Sequence, residues 1–177
     1  MPLVMSIAPT SRGFGYSIFA APNQLLDWGV KETRHDKNQR IRSKVEAMVR
    51  DIPPSAVVIE NWFHESCRRS QRVRLLLYEL AVVAHRGGAT AMVYSCRQIR
   101  QTFGECGKTK DSVARIIAET LPALKPWLPP KRRIWESEHY SMAIFDAVAL
   151  ALTHYRNLGS LAVPCPRYAN ISWQANG

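Results

Sequence analysis

Residues 5–19 read MSIAPTSRGFGYSIF, and the reading of this stretch decides the fold. Residues 3–8 form a short apolar run of the kind a buried strand uses. Pro9 and the polar residues Thr10, Ser11 and Arg12 make a turn, which Gly13-Phe14-Gly15 closes. Residues 16–20 then return as a second strand, giving a hairpin. After a turn at Pro22-Asn23, residues 25–32 read as a third, half-exposed strand. There Trp28 and Val30 alternate with Asp27, Gly29 and Lys31.

Beyond the three strands the period changes. In residues 36–52, Ile41, Val45, Met48, Val49 and Ile52 fall on one helical face. Pro53-Pro54 ends that helix, and AVVIENW (56–62) follows as the continuous apolar run of a buried parallel strand. The spacing predicts a helix over 70–85, stopped by Gly87-Gly88, and a fifth strand over 89–95. One or two helical turns are expected over 96–103, and GECGKTK (104–110) as a loop. A helix is expected over 110–121, a proline-rich connection over 122–133, and a last helix over 140–156. The implied fold is α/β: an open mixed five-stranded sheet, three antiparallel strands then two parallel, with helices on both faces. Residues 1–158 make one domain, and 159–177 read as a tail without periodicity.

The chain has 177 residues, a formal net charge of +10 and 46% hydrophobic residues. That is enough apolar sequence for a core, and the charge gives the surface an electrostatic reason to meet a polyanion, most often nucleic acid. Four cysteines form no CxxC pair and no secretory leader precedes them. Reduced thiols and a cytoplasmic setting are therefore expected. No run has the length of a membrane span. His64 and Cys67 supply two soft ligands but no second pair at finger spacing, which argues against zinc.

Two carboxylates stand out. Glu60 ends the buried strand at 56–60, and strand carboxyl ends border the ligand crevice in open α/β sheets. Asp146 lies inside MAIFDAVALALTHY, a stretch otherwise almost wholly apolar. Ala143, Ala147 and Ala151 recur there every four residues, so one face can press against a sheet. An aspartate so placed needs a partner or a cation.

Taken in order, the segments resemble the RuvC-like Holliday junction resolvases, a group within the RNase H-like nuclease superfamily. SIAPTSRGFGYSIF is similar to the family's first hairpin, whose strand ends Asp-Pro-Gly-Ser. VVIENWF resembles its fourth strand, with Glu60 on the catalytic Glu. RQIRQTFGECGKTKDSVARII is similar to its loop-and-helix segment. FDAVALALTH resembles its final helix, with Asp146 on the catalytic Asp. The resemblance implies a divergent endonuclease that cuts branched or structured DNA with Mg²⁺ or Mn²⁺. Two such ions about 4 Å apart would clamp the attacking and leaving oxygens. It also implies a homodimer, because a junction offers two strands for symmetric cutting.

The chain departs from the family at two ligand positions. Ala8 stands at the first aspartate and Ala143 at the His or Asp three residues before Asp146. A single engineered substitution would not explain both, so natural divergence is the simpler account of Ala8. The alternative function is a catalytically inactive nuclease-fold protein that binds nucleic acid or a protein partner. Glu138 and His139 are the nearest replacement ligands. In a continuous helix, Glu138 would stand about 12 Å along the axis from Asp146, so it would help only if the chain bends back. Asp27, on a strand two removed from the first, is a poorer candidate. Asn61 and Glu65 are candidates for outer groups. For the DNA backbone, the candidates are Arg12 in the hairpin turn, Arg68, Arg69 and Arg72 at the start of the second helix, and Lys108 and Lys110 beside the loop. Phosphate contacts of this type position a substrate without reading sequence. Trp62 reads mainly as core or rim packing, with base stacking as its functional alternative.

Overall fold

The computed structural model describes residues 2–160. The tail expected from residue 159 therefore lies, beyond Ser160, outside the described residues. The strands are β1 (Val4–Pro9), β2 (Gly13–Ala21), β3 (Gln24–Glu32), β4 (Ala56–Glu60) and β5 (Thr90–Tyr94). The helices are α1 (Lys37–Asp51), α2 (Gln71–Arg86), α3 (Cys96–Phe103), α4 (Lys110–Thr120) and α5 (Met142–Asn157). The sheet order is β3-β2-β1-β4-β5. β1, β2 and β3 pair antiparallel, while β4 runs parallel to β1 and β5 parallel to β4. This is the three-then-two arrangement that the sequence implies.

The sheet separates two cores. Met5 and Ile7 of β1 and Val57 and Ile59 of β4 pack with Ile41, Val45 and Val49 of α1 and with Leu76, Leu77 and Leu80 of α2. On the other face, Val4, Ala8 and Val58 pack with α4 and α5. Successive strand side chains point to opposite faces. The alternation that puts Val58 on the α5 side therefore carries Glu60 there too.

Three local expectations are corrected. β2 begins at Gly13, so Gly13-Phe14-Gly15 belong to the strand and not to the turn. These glycines mark close backbone approach, a second meaning of glycine in strands. A Cβ at Gly15 would lie 2.0 Å from the Ala143 carbonyl oxygen, and one at Gly13 would lie 2.0 Å from that of Lys31. Residues Pro122–Trp127 form a 3₁₀ segment inside the expected proline-rich connection. Finally, α5 starts at Met142, two residues later than expected. Glu138 thus lies four residues before the helix, free to follow a different path.

α5 is buried almost all round. Its alanines 143, 147 and 151 are all buried, which permits close seating on β1 and β2.

Candidate functional site

Glu60 ends β4 with its side chain only 7% exposed. A carboxylate so placed requires compensation. Arg69 supplies it: its Nε donates to Glu60 Oε2 at 2.7 Å. The Arg69 side chain is 31% exposed. Burial is the largest influence and disfavours its charge, but Glu60, with Asp146 and Cys96 behind it, holds the guanidinium pKa above its ordinary value. Arg74 of α2 donates to the carbonyls of Cys67 and Arg69, which steadies the segment that delivers Arg69. The other Glu60 oxygen accepts from the Cys96 thiol at 3.2 Å and, more weakly, from Cys67 at 3.9 Å. Burial, and then the neighbouring Glu60 charge, push the Cys96 pKa up to about 11. Cys96 is therefore a protonated donor at neutral pH. Cys67 and Cys96 are free thiols.

Asp146 projects from α5 and is 23% exposed. Its Oδ2 accepts from Lys110 Nζ at 2.8 Å. The same ammonium donates to both oxygens of Glu138, at 3.1 and 3.2 Å. The chain before α5 thus does bend back, and Lys110 joins two carboxylates eight residues apart. Thr109 and Ser112 form a capping box at the start of α4, so the Lys110 backbone sits at an ordered helix start.

Burial raises the Asp146 pKa, Lys110 lowers it only in part, and Glu138 raises it further. A carboxyl with a raised folded pKa binds its proton more tightly in the folded state. Its ionisation therefore costs stability as pH rises from the ordinary value of 3.8 through the raised folded value. Asp146→Asn should remove this cost. In thermal melts from about pH 4 to about pH 8, the variant is expected to gain on wild type as pH rises. A widening loss with pH would mean that the Lys110 pairing outweighs burial.

Two adjoining clefts meet here. One, of ≈ 190 Å³, is lined by Ala8, Glu60, Cys96 and Lys110. The other, of ≈ 290 Å³, is lined by Arg12, Glu138, His139 and Ala143. Arg69 and Asp146 line both. Mg²⁺ and Mn²⁺ take hard oxygen ligands that converge on one point. Here Glu60 and Asp146 are each engaged by a cation of the chain, and Ala8 and Ala143 offer no ligand atom. Among the described residues, no group of three or more His, Cys, Asp or Glu is placed to hold a metal ion. Of the carboxylates expected to hold a metal, Glu60 pairs with Arg69, and Asp146 and Glu138 share Lys110.

The other candidates distribute unevenly. Arg69 and Lys110, expected at the DNA backbone, are directed at carboxylates. Lys108 lines the first cleft and pairs with Glu105 at 2.8 Å. Arg12 lines the second cleft. Arg72 is turned toward α1, donating to Asn38 Oδ1 at 2.8 Å. Arg68 is exposed. Asp27 accepts from the Tyr16 hydroxyl at 3.2 Å on the β3 side of the sheet. His64 shares a hydrogen bond with the Ser66 hydroxyl, and Trp62 packs against Phe63 and Tyr78. Sequence reasoning missed Cys96 and Arg100, which both line the first cleft. The signal for Cys96 was its place directly after a parallel strand, next to the Glu60 strand end.

No family model and no curated protein sequence matches the chain. Solved structures do. Thermus thermophilus RuvC superposes with a TM-score of 0.64 at 23% identity, covering 89% of this chain and 97% of that one. T. thermophilus RuvC in complex with a Holliday junction substrate gives 0.63 at 23% identity, covering 90% and 98%. Fowlpox virus resolvase with its substrate Holliday junction DNA gives 0.52 at 12% identity, covering 88% and 98%. The chain has the RNase H-like fold of these proteins. Among the described residues, no helix is long and apolar enough to cross a membrane.

Proposed function

We propose that this protein binds branched or structured DNA on a nuclease fold whose two remaining metal-ligand carboxylates are paired with an arginine and a lysine. The observation that carries the reading is the pairing of Glu60 with Arg69 and of Asp146 with Lys110 at the strand-end cleft. The net charge of +10 and the likeness to proteins solved on Holliday junctions support nucleic acid as the partner. On this reading Arg12, Arg68 and Lys108 meet phosphates, and Arg69 and Lys110 keep the carboxylates from repelling them.

A second reading, a Mg²⁺- or Mn²⁺-dependent endonuclease, is favoured by one observation. Glu138 meets Asp146 across Lys110, so three carboxylates including Glu60 surround the clefts. A homodimer belongs to either reading, through the two-fold character of a junction.

The test is binding and cleavage of a labelled four-way junction in Mg²⁺ and in Mn²⁺, with Glu60→Gln alongside. We expect binding that weakens with salt by about 0.9 log unit per log unit for each phosphate neutralised, and no cutting. Cutting that vanishes in Glu60→Gln would establish the endonuclease reading. Failure to bind any structured nucleic acid would overturn both.

A further inference from the structure

The segment leading into α5 presents a feature that the cleft does not use. The Glu136 N–H donates to the Arg133 carbonyl at 3.1 Å, closing a turn over residues 133–136. The turn is braced twice more. Arg133 N–H donates to Glu136 Oε2 at 3.0 Å, and Arg132 Nε donates to the Glu136 carbonyl at 2.6 Å. Its two central residues are Ile134, 95% exposed, and Trp135, 78% exposed. Turn tips usually carry Gly, Asn, Asp or Pro, for conformational reasons. A large apolar pair held in water on a braced turn is therefore a marked departure, and such exposure points to a partner.

The surroundings specify the partner. Lys131, Arg132 and Arg133 precede the tip, and the Arg133 guanidinium lies 5.7 Å from the centroid of the Trp135 ring. A cationic stem with an exposed indole matches the chemistry of a nucleobase beside its phosphate. The turn also adjoins the site, because Arg132 and Glu136 line one cavity with Lys110 and Glu138.

We propose that the turn at 133–136 is a second nucleic-acid contact, in which Trp135 stacks on an unpaired base and Lys131 and Arg132 hold the flanking phosphates. The inference rests on the proposed DNA-binding function and deepens it, by naming unpaired bases as the feature the protein selects. A paired base inside a duplex offers no free face, so the contact discriminates gapped or splayed DNA from continuous duplex.

The experiment compares two labelled probes of equal length by fluorescence anisotropy. One is a continuous duplex and the other carries a short single-stranded gap with 2-aminopurine at its centre. Wild type is expected to prefer the gapped probe and to quench the 2-aminopurine. Trp135→Ala should lose about 5- to 100-fold on the gapped probe, lose the quenching, and bind duplex unchanged. Trp135→Phe should retain most of both. The side chain is exposed, so thermal melts of the variants should match wild type. Equal affinity of Trp135→Ala and wild type for the gapped probe overturns the inference, as does an equal loss on both probes. In either case DNA binding stands: equal affinity makes the tip a protein-docking surface, and an equal loss makes it a DNA contact that does not select unpaired bases. Failure of wild type to bind either probe overturns the DNA-binding reading itself.

Discussion

Arg69→Met is expected to destabilise the protein by about 3 kcal/mol, the range for stripping a buried charge of its partner. Glu60 is buried at the end of β4, and Arg69 is its cationic partner at 2.7 Å. In the variant, the Cys96 and Cys67 thiols would be its remaining donors in the cleft. Thiols are weak donors and cannot neutralise a carboxylate. The double variant Glu60→Gln/Arg69→Met should recover much of the loss, since replacing both charges removes the uncompensated one. Urea unfolding of wild type, the two single variants and the double variant measures this. A single-variant cost below about 1 kcal/mol would mark a solvent-screened pair and would remove the basis for a cleft held by protein cations.

Gly15→Val is expected to abolish stable folding, and Gly15→Ala to cost more than the ~3 kcal/mol upper range of ordinary overpacking. The reason is backbone against backbone. A Cβ at Gly15 would lie 2.0 Å from the Ala143 carbonyl oxygen and 2.8 Å from the Ala143 Cβ. No rotamer change relieves such an overlap, so the start of α5 would have to lift from the sheet. Ala8 is the register partner of Gly15, and Asp146 lies one helical turn beyond Ala143. Displacing α5 would therefore dismantle the cleft as well as the core. Gly88→Ala is the control. Gly88 has φ +80° and open space around it, so its cost is conformational only, about 1 kcal/mol. Soluble yield and thermal melts separate the two cases. A Gly15→Ala protein that melts within a few degrees of wild type would mean that α5 is not seated against β2 as described.

Both predictions concern contacts between segments distant in sequence. Glu60 was legible because a carboxylate after Val57-Val58-Ile59 is conspicuous, and Asp146 because it interrupts an apolar helix. The glycines at 13 and 15 were read as turn residues because glycine serves turns and close approaches alike. Only the neighbouring backbone tells the two apart. The order of strands and helices was carried by local periodicity, which shifts from 2 to 3.6 where strands give way to helices. That is why element boundaries fall within a few residues of those expected. The alanines every four residues likewise announced a helix that lies close to a sheet.

What the site does with its charges was not local. Arg69 lies nine residues from Glu60, Lys110 lies 36 from Asp146, and Cys96 lies 36 from Glu60. A lone Lys or Arg in a sequence reads as a solvated side chain, because nothing in its neighbours' identities states which way it points. The sequence by itself determined the α/β order and set apart the two carboxylates, Glu60 and Asp146. These follow from side-chain periodicity and from residue identity. Only the tertiary structure decided that Glu138 bends back to share Lys110 with Asp146, and that Arg69 and Lys110 face carboxylates instead of solvent. Those outcomes depend on desolvation and on charge pairing across chain-distant elements, which exist only once the sheet and α5 have closed on each other.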